Sequence, residues 1–314
     1  MTDHSISPAL PGAMDPPVFT GFDDLVAWSS PRARPHVSRG GVIAAERLGG
    51  VIDVVEVLSS TPRSIVARCR SGQRSVVLKY FRRRDSARNA SGFGYLRAKF
   101  GAKVLPGAAS VLAYDDEARV LIHEDLEVRP GRRYSAAELL RWARSWPDLV
   151  VPATSTTSEE FRASLGRSDP VSAAKGHPGA LPSLGLARRA SITDDQLRDF
   201  LDPALSVMWC GDMNPANFAL DRDGTYRQLD GEGTGYCDPA LLVVEARLGL
   251  PSAPDPGTID TSPSPDQWNE IGNFLASRWN VTPERESIAR LILASILREL
   301  APTPSHSRSG SRQQ

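Results

Sequence analysis

Between Val51 and Ile122 the apolar positions follow the spacing that strands use. VIDVVEVL, SIVARCR and SVVLKYF alternate or run apolar with β-branched residues, and the turn formers SSTPR and SGQR separate them. The pattern predicts three strands, a helix around Ala90 to Phe100 weakened by Gly92 and Gly94, and a further strand in ARVLIHEDL. From Ser135 onward the period becomes helical. Ser135 with Glu138 forms a capping box before ELLRWARSW, and Thr193 with Gln196 forms another before LRDFL. Thr282 followed by Pro283 starts an amphipathic helix that runs to about Leu300. Inside this helical half lies a β island, FALDRDGTYRQLDGEG, two strands around an Asp-Gly turn.

Polar stretches rich in Ser, Pro and Gly punctuate these elements. Residues 1–17 and the tail from Pro302 are expected to be disordered. Val151 to Gly185 and Pro251 to Asp266 share that character, and the second is expected to join two helical segments. The chain has no internal repeat.

Composition narrows the function classes. The 314 residues carry 37 basic and 37 acidic side chains, a balance that disfavours a nucleic-acid binder. No apolar run approaches the roughly 20 residues that span a bilayer, and the N-terminus lacks the charged and apolar regions of a signal peptide. Cys69, Cys210 and Cys237 are odd in number and widely spaced, which suits neither a disulfide framework nor a zinc cluster. The five histidines stand at no metal-ligand spacing. The expectation is a reduced, cytoplasmic, soluble protein that engages neither nucleic acid nor membrane.

Charge is distributed unevenly. Residues 61–145 hold 18 basic and 8 acidic side chains, whereas residues 190–300 hold 8 basic and 18 acidic ones. Only four of the basic residues are lysines, so Lys79 in the middle of SVVLKYF stands out.

The densest chemistry lies in WCGDMNPANFALDRDGTYRQLDGEGTGYCDPALL, Trp209 to Leu242. Asp212 and Asn217 are five apart in a loop containing Gly and Pro, and Asp230 follows Asn217 by thirteen, directly after a strand. Phosphoryl transfer needs an acceptor for the substrate hydroxyl's proton and oxygen ligands that hold magnesium against nucleotide phosphates. Carboxylate and amide oxygens suit that hard cation.

G-D-x-x-P-x-N, then a strand ending in L-D-x-E-G-x-G-Y-x-D-P-A, resembles the aminoglycoside phosphotransferase and choline kinase-like family. The resemblance implies an α+β, bilobal protein-kinase-like fold. Its small β-rich nucleotide-binding lobe would span residues 18–127, and its larger helical lobe, residues 128–301, would carry the catalytic loop and acceptor site. It further implies that Asp212 is the catalytic base, that Asn217 and Asp230 are magnesium ligands, and that Lys79 pairs with the α and β phosphates of ATP. VLIHEDLE, with Glu124 to Leu126, resembles the hinge whose backbone holds adenine. The turn around Ser60, SSTPRS, occupies the place of the phosphate-covering loop, although it has no glycine.

Three positions depart from the family pattern. The helix after the lysine strand lacks the usual glutamate, and between Tyr80 and Tyr114 the only acidic residue is Asp85. Cys210 replaces the histidine of H-G-D, where a small apolar group can pack. Gly231 replaces an aromatic after the magnesium-binding Asp, and Leu242 replaces a frequent second Asp. The losses fall on supports, while Lys79, Asp212, Asn217 and Asp230 are all present. The expectation is an ATP- and Mg2+-dependent enzyme that phosphorylates a hydroxyl of a small molecule. The acidic half suits a cationic acceptor, such as an aminoglycoside or an amino alcohol. The alternative is a catalytically weak or inactive pseudokinase, acting as a nucleotide-binding or scaffold module. A protein kinase is disfavoured because H-R-D, D-F-G and A-P-E segments are missing.

Overall fold

The computed structural model describes residues 17–61, 63–82, 90–127, 133–164, 205–221, 223–249 and 259–300. The chain divides into two compact units. One comprises residues 1–85 with Val111–Asp125, and the other residues 86–110 with 126–314. The fold class is α+β, with a β-rich first unit and a mainly helical second one.

The first unit opens with a two-residue strand β1 (Val18–Phe19) and the helices α1 (Phe22–Trp28) and α2 (Arg34–Leu48). Three long strands follow: β2 (Val54–Ser60), β3 (Ser64–Ser71) and β4 (Arg74–Phe81). After helix α3 (Ala90–Val104), which belongs to the second unit, β5 (Val111–Asp115) and β6 (Val120–Glu124) complete a six-stranded antiparallel sheet. Its order is β1-β2-β3-β4-β6-β5. Helix α2 packs on this sheet through Gly40, where an added Cβ would lie 2.8 Å from Leu78. The core of this unit includes Leu25, Val37, Val55, Ile65, Leu78 and Val120.

The second unit adds α4 (Ala136–Arg144), the short strand β7 (Val151–Pro152) and α5 (Ser155–Ser164). The predicted capping box is present at α4. Ser135 Oγ accepts from Glu138 N at 3.3 Å, and Glu138 Oε2 accepts from Ser135 N at 2.9 Å. Helix α5 lies in a stretch whose composition predicts loop. Thr154 Oγ1 accepts from Thr157 N at 3.1 Å, and Phe161 buries its ring against Phe100 at 5.3 Å, so one cap and one aromatic anchor override the composition. The second predicted capping box, Thr193 with Gln196, lies outside the described residues.

Three-residue strands follow: β8 (Val207–Trp209), β9 (Phe218–Leu220), β10 (Tyr226–Gln228) and β11 (Gly235–Cys237). β9 and β10 form the predicted hairpin, and β8 lies between β7 and β11 in a second small sheet. Helices α6 (Pro239–Arg247), α7 (Pro265–Arg278) and α8 (Pro283–Leu300) close the unit. Trp142, Trp146, Met208, Leu242 and Leu275 belong to its core. Among the described residues no helix is long and apolar enough to cross a membrane.

Candidate active site

Hairpin register brings two of the predicted residues together. Phe218 pairs with Gln228, so Asn217 and Leu229 face each other one step beyond the ladder. Leu229 N donates to Asn217 O at 2.7 Å, which puts Asp230 next to Asn217 at the open end of the hairpin. A 3-10 turn, Pro215–Asn217, leads into β9. It is capped by Asn214 Oδ1, which accepts from Ala216 N at 3.0 Å, and Tyr134 Oη braces it by donating to Pro215 O at 2.9 Å.

Asp212 joins the same cluster through its backbone. Asn217 Nδ2 donates to Asp212 O at 3.3 Å, and so does the Cys210 thiol at 3.3 Å. The Asp212 side chain is exposed. Gly211 stands at φ +84°, and an added Cβ would lie 2.0 Å from Gly233 O, so the loop before Asp212 and the loop after Asp230 touch backbone to backbone.

Cys210 is buried against Met213, and desolvation pushes its thiol far above the ordinary range. Such a thiol is a packing group and a donor to its loop, and it is no nucleophile at neutral pH. Desolvation pushes Cys69 up to about 12 and Cys237 well above its ordinary value.

The Asp230 carboxylate is fixed by its own loop. Oδ1 accepts from Glu232 N at 2.9 Å, and the Asp230 carbonyl accepts from Gln228 Nε2 at 2.9 Å. Among the described residues no group of three or more His, Cys, Asp or Glu side chains could hold a metal ion. One carboxylate with one amide fits magnesium nonetheless, because that ion commonly takes one or two protein ligands and fills its shell with phosphate oxygens and water. Asp238 is buried as the N-cap of α6, accepting from Ala240 N at 2.8 Å, and it pairs with Arg285 of α8. Desolvation raises its pKa, and the Ala240 N–H and Arg285 oppose that shift.

In the first unit Lys79 lies mid-ladder on β4, paired with Val66 on β3 and Leu121 on β6. Its side chain is only 5% exposed, with Nζ 5.0 Å from the centre of the Phe81 ring. Ser60 ends β2 with its side chain outward, and its Oγ accepts from Arg82 Nη2 at 3.0 Å. Glu124 closes β6 opposite Val76, and Leu126 follows two residues later in the second unit.

Three contributors carry no motif in the sequence. Arg68 on β3 grips Asp125, just after β6, Nε to Oδ2 at 2.7 Å, while its Nη1 reaches Glu56 at 2.6 Å. Arg97 on α3 bonds the loop after Asp230, with Nη1 donating to Thr234 O at 2.9 Å. Glu245 on α6 is partly buried, and desolvation first and the negative charge of Asp212 second push its pKa up to about 8. The only sequence signal for any of them is a charge at a position otherwise patterned for burial.

No protein-family model and no curated protein matches the chain. Solved structures do. A macrolide 2'-phosphotransferase from Brachybacterium faecium is 16% identical, with a TM-score of 0.45, over 82% of this chain and 91% of its own. An ADP-bound aminoglycoside phosphotransferase is 12% identical, with a TM-score of 0.42, over 84% of this chain and 87% of its own. A choline kinase from Streptococcus pneumoniae is 15% identical, with a TM-score of 0.41, over 79% of this chain and 86% of its own. These three structures are phosphotransferases of the macrolide, aminoglycoside and choline kinds.

Proposed function

We propose that the protein is a cytoplasmic, ATP-dependent phosphotransferase that adds phosphate to a hydroxyl of a small molecule. The observation that carries this reading is the hairpin end, where Asn217 bonds the Asp212 carbonyl through its side chain and Leu229 N, next to Asp230, through its own carbonyl. Asp212 takes up the hydroxyl proton as the acceptor oxygen bonds to the γ-phosphorus and the bond from that phosphorus to the bridging oxygen of ADP breaks. Asn217 and Asp230 are the magnesium ligands. Magnesium, when bound, neutralises charge on the nucleotide phosphates.

The first unit, as the nucleotide-binding lobe, supplies Lys79 toward the phosphates and the turn at Ser60 over them, and the backbone from Glu124 to Leu126, where the chain passes into the second unit, serves adenine. A lysine on the third of three long antiparallel strands (β2, β3, β4), followed by a helix, is the arrangement that protein-kinase-like enzymes use. The acceptor is a hydroxyl compound bearing cationic groups, aminoglycoside-like or an amino alcohol, because residues 190–300 hold 18 acidic against 8 basic side chains.

The test is magnesium-dependent ATP turnover by the purified protein without acceptor. Asp212→Asn is expected to lower turnover by about 100-fold or more while leaving ADP binding intact. Asp230→Asn is expected to abolish the magnesium requirement along with the rate. ADP binding without turnover, and unaffected by Asp230→Asn, would instead support a nucleotide-binding pseudokinase.

A further inference from the structure

Helix α3 stands where the family pattern puts an acidic partner for the strand lysine, yet its sequence, ASGFGYLRAKFGAKV, contains no acid. It contributes a cation in another direction. Arg97 is 2% exposed and ranks among the largest fully buried side chains of the described residues. Its Nη1 donates to Thr234 O at 2.9 Å and lies 3.4 Å from Gly233 O, and its guanidinium stands 5.5 Å from the centre of the Phe161 ring. Burying a guanidinium is costly unless the surrounding groups compensate it, and here two loop carbonyls and an aromatic face offset part of that cost.

The backbone fits the same arrangement. A Cβ at Gly101 would lie 2.2 Å from Thr234 Oγ1, and one at Gly231 would lie 3.4 Å from Ala98 Cα. Gly101 is therefore the residue that lets α3 approach the loop, and Gly231 meets Ala98 at ordinary contact distance. Beyond the helix, Gly107 O accepts from Gln228 N at 2.8 Å and from Arg227 Nε at 3.0 Å, and Ala109 N donates to Gln228 O at 2.8 Å. Helix α3 and the turn after it thus hold the chain on both sides of Asp230: strand β10 before it and the 231–234 loop behind it.

We infer that Arg97 is a positioning residue for Asp230, holding the glycine-containing loop so that the carboxylate stands ready for the metal before the metal arrives. The inference rests on the reading of Asp230 as a magnesium ligand. The Glu232 N–H fixes the carboxylate within the loop, while Gly231 and Gly233 give the loop little conformational preference of its own, so the outside clamp decides where loop and carboxylate stand together.

The experiment is calorimetric titration with ADP, with and without magnesium, on the full chain and on Arg97→Met, Arg97→Lys and Gly101→Ala. In the unmodified protein magnesium tightens ADP binding. Arg97→Met is expected to cut that tightening by about 10-fold while metal-free ADP affinity moves by less than about 2-fold. Arg97→Lys, which keeps the charge and one donor, is expected to recover part of the loss. Gly101→Ala, which pushes on Thr234 without touching Arg97, is expected to reproduce it, and near-UV circular dichroism establishes that each variant is folded. Folded variants that keep the full magnesium effect overturn the inference, as does an equal loss with and without metal, which marks a purely structural residue. An unmodified protein that binds ADP without any magnesium effect overturns the reading of Asp230, and the inference with it. If Arg97→Met does not fold, Arg97→Lys and Gly101→Ala decide the outcome.

Discussion

Lys79 sits in an eight-residue strand bonded to neighbours on both sides, whereas Asp212, Asn217 and Asp230 are carried by strands of three residues and the loops that join them. In the first unit, ladder register fixes the side chain. A one-residue slip would turn Val76, Leu78 and Tyr80 away from the core that they share, so the fold itself defends the lysine's position. The second unit lacks that protection near its hairpin. There the backbone is held by glycines that allow close approach, by side-chain caps and by a buried arginine. Side chains held by register should tolerate local substitutions. Those held by loop contacts should not.

The same substitution at two glycines tests this contrast, and the second unit gives the largest effect. Gly211→Ala forces a left-handed φ of +84° on a residue with a Cβ and drives that Cβ into Gly233 O. It is expected to lower turnover by about 100-fold or more, because it moves Asp212 relative to the Asp230 loop. Gly72→Ala, in the turn between β3 and β4, carries a φ of +58° but meets no atom within 4 Å. Its expected cost is about 1 kcal/mol in chemical denaturation, with turnover unchanged. Equal losses of turnover at the two positions would end the contrast.

A sharper probe lies inside the first unit, where one ion-paired arginine supplements the ladder. Arg68 is buried and grips Asp125, whose side chain is only 3% exposed. Arg68→Met leaves a buried carboxylate without this cation and is expected to cost about 3 kcal/mol, read from urea denaturation. Combining it with Asp125→Asn should restore part of that loss, which a double-mutant cycle measures. Additive losses would mean that the pair contributes nothing as a pair.

Much of the first unit was legible because alternation reports directly on strands. SIVARCR and SVVLKYF became β3 and β4 at nearly the predicted bounds. The hairpin, the capping box at Ser135 and the start of α8 were equally visible, since each depends on residues close in sequence. Helix α2 was not visible. Gly40 and Gly41 lie in its middle, and both are there because Leu78 and Phe22 press against them, which no local pattern announces. The motif spacing pointed to Asp212, Asn217 and Asp230, and in the structure Asn217 bonds Asp212 O and Leu229 N at the hairpin end. Arg68, Arg97 and Glu245 stayed hidden, because a charged residue's role depends on partners that are 57, 137 and 33 positions away, respectively.

Glu245 gives the smallest effect and one that depends on pH. In the unfolded chain its carboxyl has the ordinary value of 4.5, and in the fold desolvation and the Asp212 charge raise it to about 8. Below pH 4.5 the group is protonated in both states and contributes nothing. Between 4.5 and 8 the folded state keeps a proton that the unfolded state releases, so stability falls as pH rises, and above 8 the full cost of a charged Glu245 is present. Cys237 also faces this carboxylate, but its own raised pKa keeps it neutral across the window. Glu245→Gln is therefore expected to unfold at the same temperature as the unmodified protein at pH 4.5. At pH 9 it should unfold about 3 °C higher. A uniform shift at both pH values would mean that the carboxyl contributes through packing alone. A shift confined to high pH would mark Glu245 as a carboxylate that the second unit keeps close to Asp212 at a cost to its stability.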